Sequence, residues 1–281
     1  MIDLHTHSTC SDGTDTPFAL VKKALAAGVT TLGITDHDST AGWSEAITAI
    51  QPQIQLVLGA EISCLTTDGV SVHMLGLLFD GEHKEMQQML EDSRDTRIPR
   101  MRKMIELLRA DGIDISIEDV NRVAPTGSTL GRPHLADALV AKGIVASRDE
   151  AFLDLLHNES KYYVSHAAPT PVEAISVIRR AGGVAVIAHP FASRRGEILV
   201  PESFTDLLAA GLNGIEVHHR DQNAQEQKVL TDIARGLNLV VTGSSDYHGT
   251  GKLNSMAENT THPAQWEMLE SAANARRVIT V

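Results

Sequence analysis

The stretch Ile2-Asp3-Leu4-His5-Thr6-His7 decides how the chain is read. Its first four residues have the character of a short strand. Side chains alternate along an extended backbone, so His5 and His7 point the same way at its end. A helix is predicted over 17–27, with Pro17 in its first turn and Gly28 just past its end. A second strand, Thr31-Leu32-Gly33-Ile34-Thr35, runs into Asp36-His37-Asp38. Ser39 or Thr40 can cap a helix through Ile50, and another strand begins over 55–58. The alternation returns in the second half, with strands over 184–188, 214–217 and 239–242 and helices near 171–181, 202–210 and 223–236. Repeated strand–helix units predict an α/β fold with a parallel sheet or barrel.

The segment 92–164 has a different texture: Arg, Met, Leu and Ile recur at helical spacing and strands are scarce. It reads as an inserted helical subdomain. Pro99 would kink a single helix over 82–110, so a break is expected there.

Length and composition bound the function. With 281 residues, 42% hydrophobic and 21% charged, the chain is long enough for a large core and falls in the ordinary globular range. The formal charge of −12 argues against binding long duplex nucleic acid, which relies on many Lys and Arg contacts to phosphates. Cys10 and Cys64 are too few for a disulfide framework, and the opening residues have neither the basic flank nor the apolar stretch of a secretion signal, so a cytoplasmic location is expected. No apolar run approaches the roughly 20 residues that span a bilayer, so no membrane partner is expected.

The 13 histidines are unevenly placed. His5 and His7 end the first strand, with Asp12 shortly after. His37 follows the second strand and Glu61 lies in the third segment, with His73 in the apolar stretch after it. His189 ends the strand over 184–188, Glu216, His218 and His219 lie together, and Asp246 and His248 follow the last strand. The carboxyl ends of barrel strands form the reaction face of parallel α/β barrels. Mixed imidazole and carboxylate ligands suit Zn, Mn or Fe in an open, catalytic site, and no cysteine pair offers a closed thiolate site. His83, His157 and His262 stand apart from this pattern and read as surface or structural residues.

The motifs His5-Thr6-His7-Ser8, Ser11-Asp12-Gly13, Thr35-Asp36-His37-Asp38, Ala60-Glu61-Ile62-Ser63, Ala188-His189-Pro190 and Ser245-Asp246-Tyr247-His248 resemble, in order, those of the PHP (polymerase and histidinol phosphatase) family of metal-dependent phosphoesterases. The resemblance implies a distorted seven-stranded β/α barrel from 1–91 and 165–281, with 92–164 as a helical insertion contributing to substrate binding. It also implies two or three divalent metals: His5, His7, Glu61 and Asp246 on the first, Glu61, His73 and His189 on the second, and Asp12, His37 and His248 on the third. Some relatives have His where this chain has Asp12, and a carboxylate favours a harder ion, so Mn leads over Zn or Fe.

Two or three such ions can lower the pKa of a shared water and neutralise phosphoryl oxygens, which makes phosphate-ester hydrolysis the expected reaction. Asp246 and His248 are catalytic candidates. Of His218 and His219, one can protonate a leaving group and the other be structural, and His218 is the candidate. Asp36 and Asp38 can orient His37 or act directly. Arg132 and His134 resemble a segment that reaches over the metals in the nucleotide-hydrolysing branch of the family, and Arg194 and Arg195 can also grip phosphate. The expected substrate is a small anionic nucleotide, a 3′,5′-bisphosphonucleoside losing its 3′-phosphate. Exonucleolytic trimming of a short oligoribonucleotide is the close alternative, histidinol phosphatase a weaker one, and a non-enzymatic metal scaffold the alternative of another class.

Overall fold

A computed structural model of the chain describes residues 1–165, 167–196 and 198–281, with Arg195 described by its backbone alone. The first half runs β1 (Ile2–Asp3), α1 (Pro17–Ala26), β2 (Thr31–Ile34), α2 (Trp43–Thr48), β3 (Gln55–Leu65), β4 (Ser71–Leu77) and α3 (Lys84–Asp95). Four helices follow without a strand: α4 (Arg97–Ala110), α5 (Ile117–Val123), α6 (Arg132–Ala141) and α7 (Arg148–Asp154). The chain ends with α8 (Pro171–Arg180), β5 (Val184–Ala188), α9 (Ser203–Ala210), β6 (Gly214–His218), α10 (Ala224–Leu237), β7 (Val240–Gly243) and α11 (Pro263–Ala272). None of the described helices is long and apolar enough to cross a membrane.

Local chemistry sets these boundaries. The Thr16 hydroxyl accepts from the Ala19 amide and Pro17 opens α1. Thr170 with Glu173, and Asn223 with Glu226, close reciprocal caps on α8 and α10. The predicted break near Pro99 falls at Thr96, which leaves the proline in the first turn of α4, where its missing N–H costs nothing. Neither Ser39 nor Thr40 caps α2; the helix starts after Gly42 without a side-chain cap.

The seven strands form one sheet in the order β1 to β7. β1–β2–β3 and β5–β6–β7 are parallel, whereas β4 runs antiparallel to both β3 and β5. The parallel order is therefore interrupted at β4, within the distorted seven-stranded barrel that the resemblance implies. Only a tight turn links β3 to β4, with the Thr66 amide donating to the Val70 carbonyl at 2.9 Å and Gly69 at φ +93°. A parallel crossover needs a dozen or more residues. A bridge between Thr6 and Tyr247, with the His7 amide on the Tyr247 carbonyl at 2.9 Å, nearly closes the barrel.

Gly33 is one glycine the barrel requires, because a β-carbon there would collide with the Leu4 backbone where β1 and β2 pass. The α1–α3 and α8–α10 faces pack on the sheet through one core that includes Leu20, Leu56, Met74, Ile178 and Phe204. The helices α4 to α7 have an apolar cluster of their own around Met104, Leu108, Leu135 and Leu139.

Candidate metal centre

All nine residues of the ligand set converge at one end of the barrel. Six follow the carboxyl ends of parallel strands: His5 and His7 after β1, His37 after β2, His189 after β5, and Asp246 and His248 after β7. His73 arrives differently. Because β4 is antiparallel, its beginning lies at that same end, and its pairing with Ala188 sets it beside His189.

Glu61 sits at the centre. Its Oε2 lies 3.3 Å from His5 Nε2, 3.1 Å from His7 Nε2 and 3.1 Å from His37 Nδ1. Its Oε1 lies 2.8 Å from His73 Nδ1 and 3.3 Å from His189 Nε2. Asp246 Oδ1 completes one side, 3.5 Å from His5 Nε2 and 3.4 Å from His7 Nε2. Asp12 Oδ1 lies 3.1 Å from His248 Nε2. Ligand atoms of His5, His7, Glu61 and Asp246 fall within 4.8 Å of one another, as do those of His37, Glu61 and His73, and those of His7, Asp12, His37 and His248. His7, His37 and Glu61 thus each belong to two of these groups.

The protonation pattern shows what this cage is built to hold. Glu216, fully buried, accepts from His5 Nδ1 at 3.1 Å and from the His189 amide at 3.0 Å. A carboxylate only accepts, so the His5 proton is on Nδ1. Ser11 donates to Asp36 at 2.6 Å and therefore accepts from His7 Nδ1 at 3.3 Å. His248 Nδ1 donates to the Asp246 carbonyl at 2.8 Å. Each ring is held with Nε2 turned to the cluster, the arrangement carboxylate and carbonyl partners give ligand histidines.

His5 Nε2 and His7 Nε2 then stand 3.0 Å apart with facing lone pairs, which only a cation or a proton between them reconciles. Asp12 Oδ1, His37 Nδ1, Glu61 Oε1, His73 Nδ1 and His248 Nε2 are buried without a hydrogen-bond partner. Buried polar atoms without partners are costly, and here they share one cavity lined with metal-binding chemistry. The residues fit divalent metals.

The electrostatics agree. Burial would raise the carboxyls of Glu61, Asp12 and Asp246, yet all three are held well below the usual range by His73 and His37, by His248 and His37, and by Lys252 and His248 respectively. Burial pushes His5 and His7 down, but Glu61, Glu216 and Asp246 lift His5 well above its ordinary value, and Asp246 and Glu61 lift His7 to about 9. His37 and His248 go the other way, to about 3 and about 4, because burial dominates. Backbone strain gathers here as well: among the described residues, three of the six non-glycine residues with positive φ are Asp38, His189 and Asp246.

The remaining candidates divide. Arg132 opens α6 and lines a cleft with His73, His189, Pro190 and Asn158, donating to the Leu156 carbonyl at 2.8 Å and Asn158 Oδ1 at 2.7 Å. His134 is buried, and its Nδ1 accepts from the Gly131 amide at 3.1 Å, so it closes the first turn of α6 instead of forming a wall of that cleft. Arg194 is exposed on the turn Ser193–Arg195, and the Arg195 side chain lies outside the described residues. Asp36 takes Ser8 and Ser11, pinning the β1 loop. Asp38 takes Ser63 and the Arg97 guanidinium, tying α4 to the barrel.

His218 needs correction. It is exposed, bonded to Gln227 Oε1 at 3.2 Å, and lines a separate cavity of about 590 Å³ with Met1, Thr30 and His262. A bulge between Glu216 and His218 breaks the alternation of β6, turning His218 outward and His219 inward. His219 is buried, accepts from the Asp221 amide on Nδ1 at 3.0 Å, and so directs its Nε2–H to Asp246 Oδ2 at 3.4 Å. Sequence reasoning also gave no role to Glu216 or Lys252. The one signal for Glu216 was a carboxylate inside an otherwise apolar strand.

This barrel and this cage define a metal-dependent hydrolase of phosphate esters. The family model of the PHP domain matches residues 3–122. The chain is 34% identical over 248 residues to a 5′-3′ exoribonuclease of Haemophilus influenzae, covering 88% of this chain and 89% of that protein. It is 33% identical over 252 residues to a 3′,5′-nucleoside bisphosphate phosphatase of Chromobacterium violaceum, covering 89% and 88%. A solved structure from Bifidobacterium adolescentis, assigned as a metal-dependent phosphoesterase, superposes with a TM-score of 0.92 at 39% identity over 97% of this chain and 96% of its own. The chain belongs to the PHP family.

Proposed function

We propose that this phosphoesterase removes the 3′-phosphate of 3′,5′-bisphosphonucleosides, such as adenosine 3′,5′-bisphosphate, to leave the 5′-monophosphate. The observation that carries the reading is a pair of arginines on one tyrosine ring, one of them lining the cleft beside the cage. Arg132 and Arg100 both lie against the Tyr163 ring, at 5.3 and 5.2 Å, and among the described residues neither meets a carboxylate. Burial and the neighbouring Arg132 lower Arg100 to about 10, the cost of holding like charges together out of water. A phosphate on the substrate's far end would relieve that cost, with Arg194 at the rim. A monophosphate such as histidinol phosphate would leave the grip unused.

In this reading His5, His7, Glu61 and Asp246 would hold one ion, Glu61, His73 and His189 a second, and Asp12, His37 and His248 a third. Manganese would be the preferred ion because Asp12 and Glu61 add hard oxygen donors. Bound there, the ions would supply an activated water and charge neutralisation on the phosphoryl group. Glu216 and Ser11 keep the His5 and His7 rings in the receiving tautomer. His219 holds the outer oxygen of Asp246. The insertion brings Arg132 over the cleft and fixes the distance between the scissile ester and the second phosphate.

The same grip serves the 5′-phosphate of a short RNA, and the similarity to the Haemophilus exoribonuclease supports that second reading. Metal-stripped protein reloaded with Mn²⁺ tests both, given adenosine 3′,5′-bisphosphate, adenosine 3′-monophosphate and a 5′-phosphorylated oligoribonucleotide. The bisphosphate should be hydrolysed with a KM at least about tenfold below that of the 3′-monophosphate, and Arg132→Met should erase the difference, as expected for losing a charged hydrogen bond. Equal KM values for the two nucleotides would refute the grip, and mononucleotides released from RNA at higher kcat/KM would promote the exonuclease.

A further inference from the structure

Asp246 uses its two oxygens differently. Oδ1 faces the Nε2 atoms of His5 and His7, whereas Oδ2 lies 2.9 Å from Lys252 Nζ and 3.4 Å from His219 Nε2. The His219 ring stands 5.0 Å from that of His189, which lines the cleft. Lys252 and His219 thus meet the same outer oxygen of Asp246, beside the cage.

This lysine is held in place. Its side chain is 29% exposed, and the turn Gly249–Gly251 that precedes it is fastened from two directions. The Thr250 amide donates to Thr14 Oγ1 at 2.8 Å, next to the Asp12 loop. Arg148 donates to the Gly251 carbonyl at 3.1 Å while ion-paired to Asp137 of α6. A β-carbon at Gly251 would meet the Arg148 guanidinium, which would have to shift.

A fixed ammonium beside a ligand carboxylate repels any divalent cation there, so cation binding does not account for it. An anion bound at the cage, within reach of this part-exposed ammonium, does. An ammonium has three donors, and among the described residues Asp246 is the one partner shown. We propose that Lys252 is a phosphoryl-binding residue whose ammonium donates to a non-bridging oxygen of the scissile phosphate while Asp246 turns its inner oxygen to the ions. The proposal rests on phosphate-ester hydrolysis at this cage, and it places a positive donor where negative charge gathers in the transition state.

The test uses the full-length protein with Lys252→Met, Lys252→Arg and, as a charge control on the exposed face of α10, Lys228→Met. Calorimetry measures Mn²⁺ binding to the stripped proteins and inorganic phosphate binding to the Mn²⁺-loaded ones, alongside steady-state kinetics. Lys252→Met should bind Mn²⁺ at least as tightly as wild type, bind phosphate about tenfold more weakly and lose tenfold or more in kcat. Lys252→Arg should recover much of both, and Lys228→Met should match wild type. Weaker Mn²⁺ binding with unchanged phosphate affinity would make Lys252 a strut of the metal site and overturn the proposal. No change in either would overturn it too. If wild type cleaved no phosphate ester, the reaction would be in error, while the phosphate titration would still decide the role of Lys252.

Discussion

Glu216 touches no position assigned to an ion, yet its replacement by glutamine should cost metal affinity. The carboxylate offers two acceptors to two buried donors, His5 Nδ1–H at 3.1 Å and the His189 amide at 3.0 Å. Glutamine has the same shape but one acceptor and one donor group. If its oxygen stays on the His189 amide, its NH₂ confronts His5 Nδ1–H, and the ring must move its proton to Nε2, where a lone pair is needed. If the oxygen turns to His5, a buried amide loses its partner. Losing one hydrogen bond to a charged group costs about 1.5–3 kcal/mol. That corresponds to roughly 10–100-fold in affinity, the range that outer partners of ligand histidines produce. Competition between the stripped protein and a chelating dye for Mn²⁺ measures this, and urea unfolding of the metal-free variant checks that the barrel is intact. A folded Glu216→Gln variant with wild-type Mn²⁺ affinity would refute the tautomer argument.

Two further predictions concern protons and the β6 bulge. His5 and His7 carry raised pKa values, so Mn²⁺ must displace their protons, and titrations at pH 7 in buffers of differing ionisation enthalpy should register release of about two protons. The same shifts set the stability of the metal-free protein: His7, raised to about 9, contributes stability that is complete below 6.5 and lost as pH rises through 9. His37 and His248, lowered to about 3 and about 4, contribute stability present above 6.5 and lost as pH falls through those values, so these groups place the maximum melting temperature near pH 6.5. A metal-free protein that stabilises steadily from pH 6.5 to 9 would contradict this. His218→Ala should leave kcat within about twofold of wild type, whereas His219→Ala should lower it about tenfold or more, and the reverse order in steady-state assays would restore His218 to the site.

Much of the candidate site was legible because candidate ligands at strand ends leave a signature in one dimension. His5 and His7 lie two apart on an extended chain, His37 and His189 each close an apolar run, and such positions converge wherever strands share a sheet. What stayed hidden depended on register. Alternation along β6 carries Glu216 inward and would carry His218 with it, and one bulge exchanges His218 for His219. The reversed direction of β4 was hidden as well, although its tight turn, with Gly69, was visible. Lys252 lay beyond any pattern, because its position depends on Thr14 and Arg148, which are far from it in sequence.

These long-range ties show how the inserted helices and the cage depend on each other. Arg94 of α3 donates to the Asp38 carbonyl at 2.6 Å, and Arg97 of α4 pairs with the buried Asp38 carboxylate, one residue past His37. On the opposite flank Arg148 of α7 holds Gly251, one residue before Lys252, whose ammonium meets Asp246. Between these two fastenings α6 presents Arg132 to the cleft. A barrel without 92–164 would bury Asp38 with no guanidinium beside it and leave the Lys252 turn tied on one side only, and an unpaired buried charge is among the most costly defects a fold can carry. The segment that carries the proposed substrate grip thus also braces two loops of the candidate metal centre, so the spacing between Arg132 and the cage is set by the fold itself.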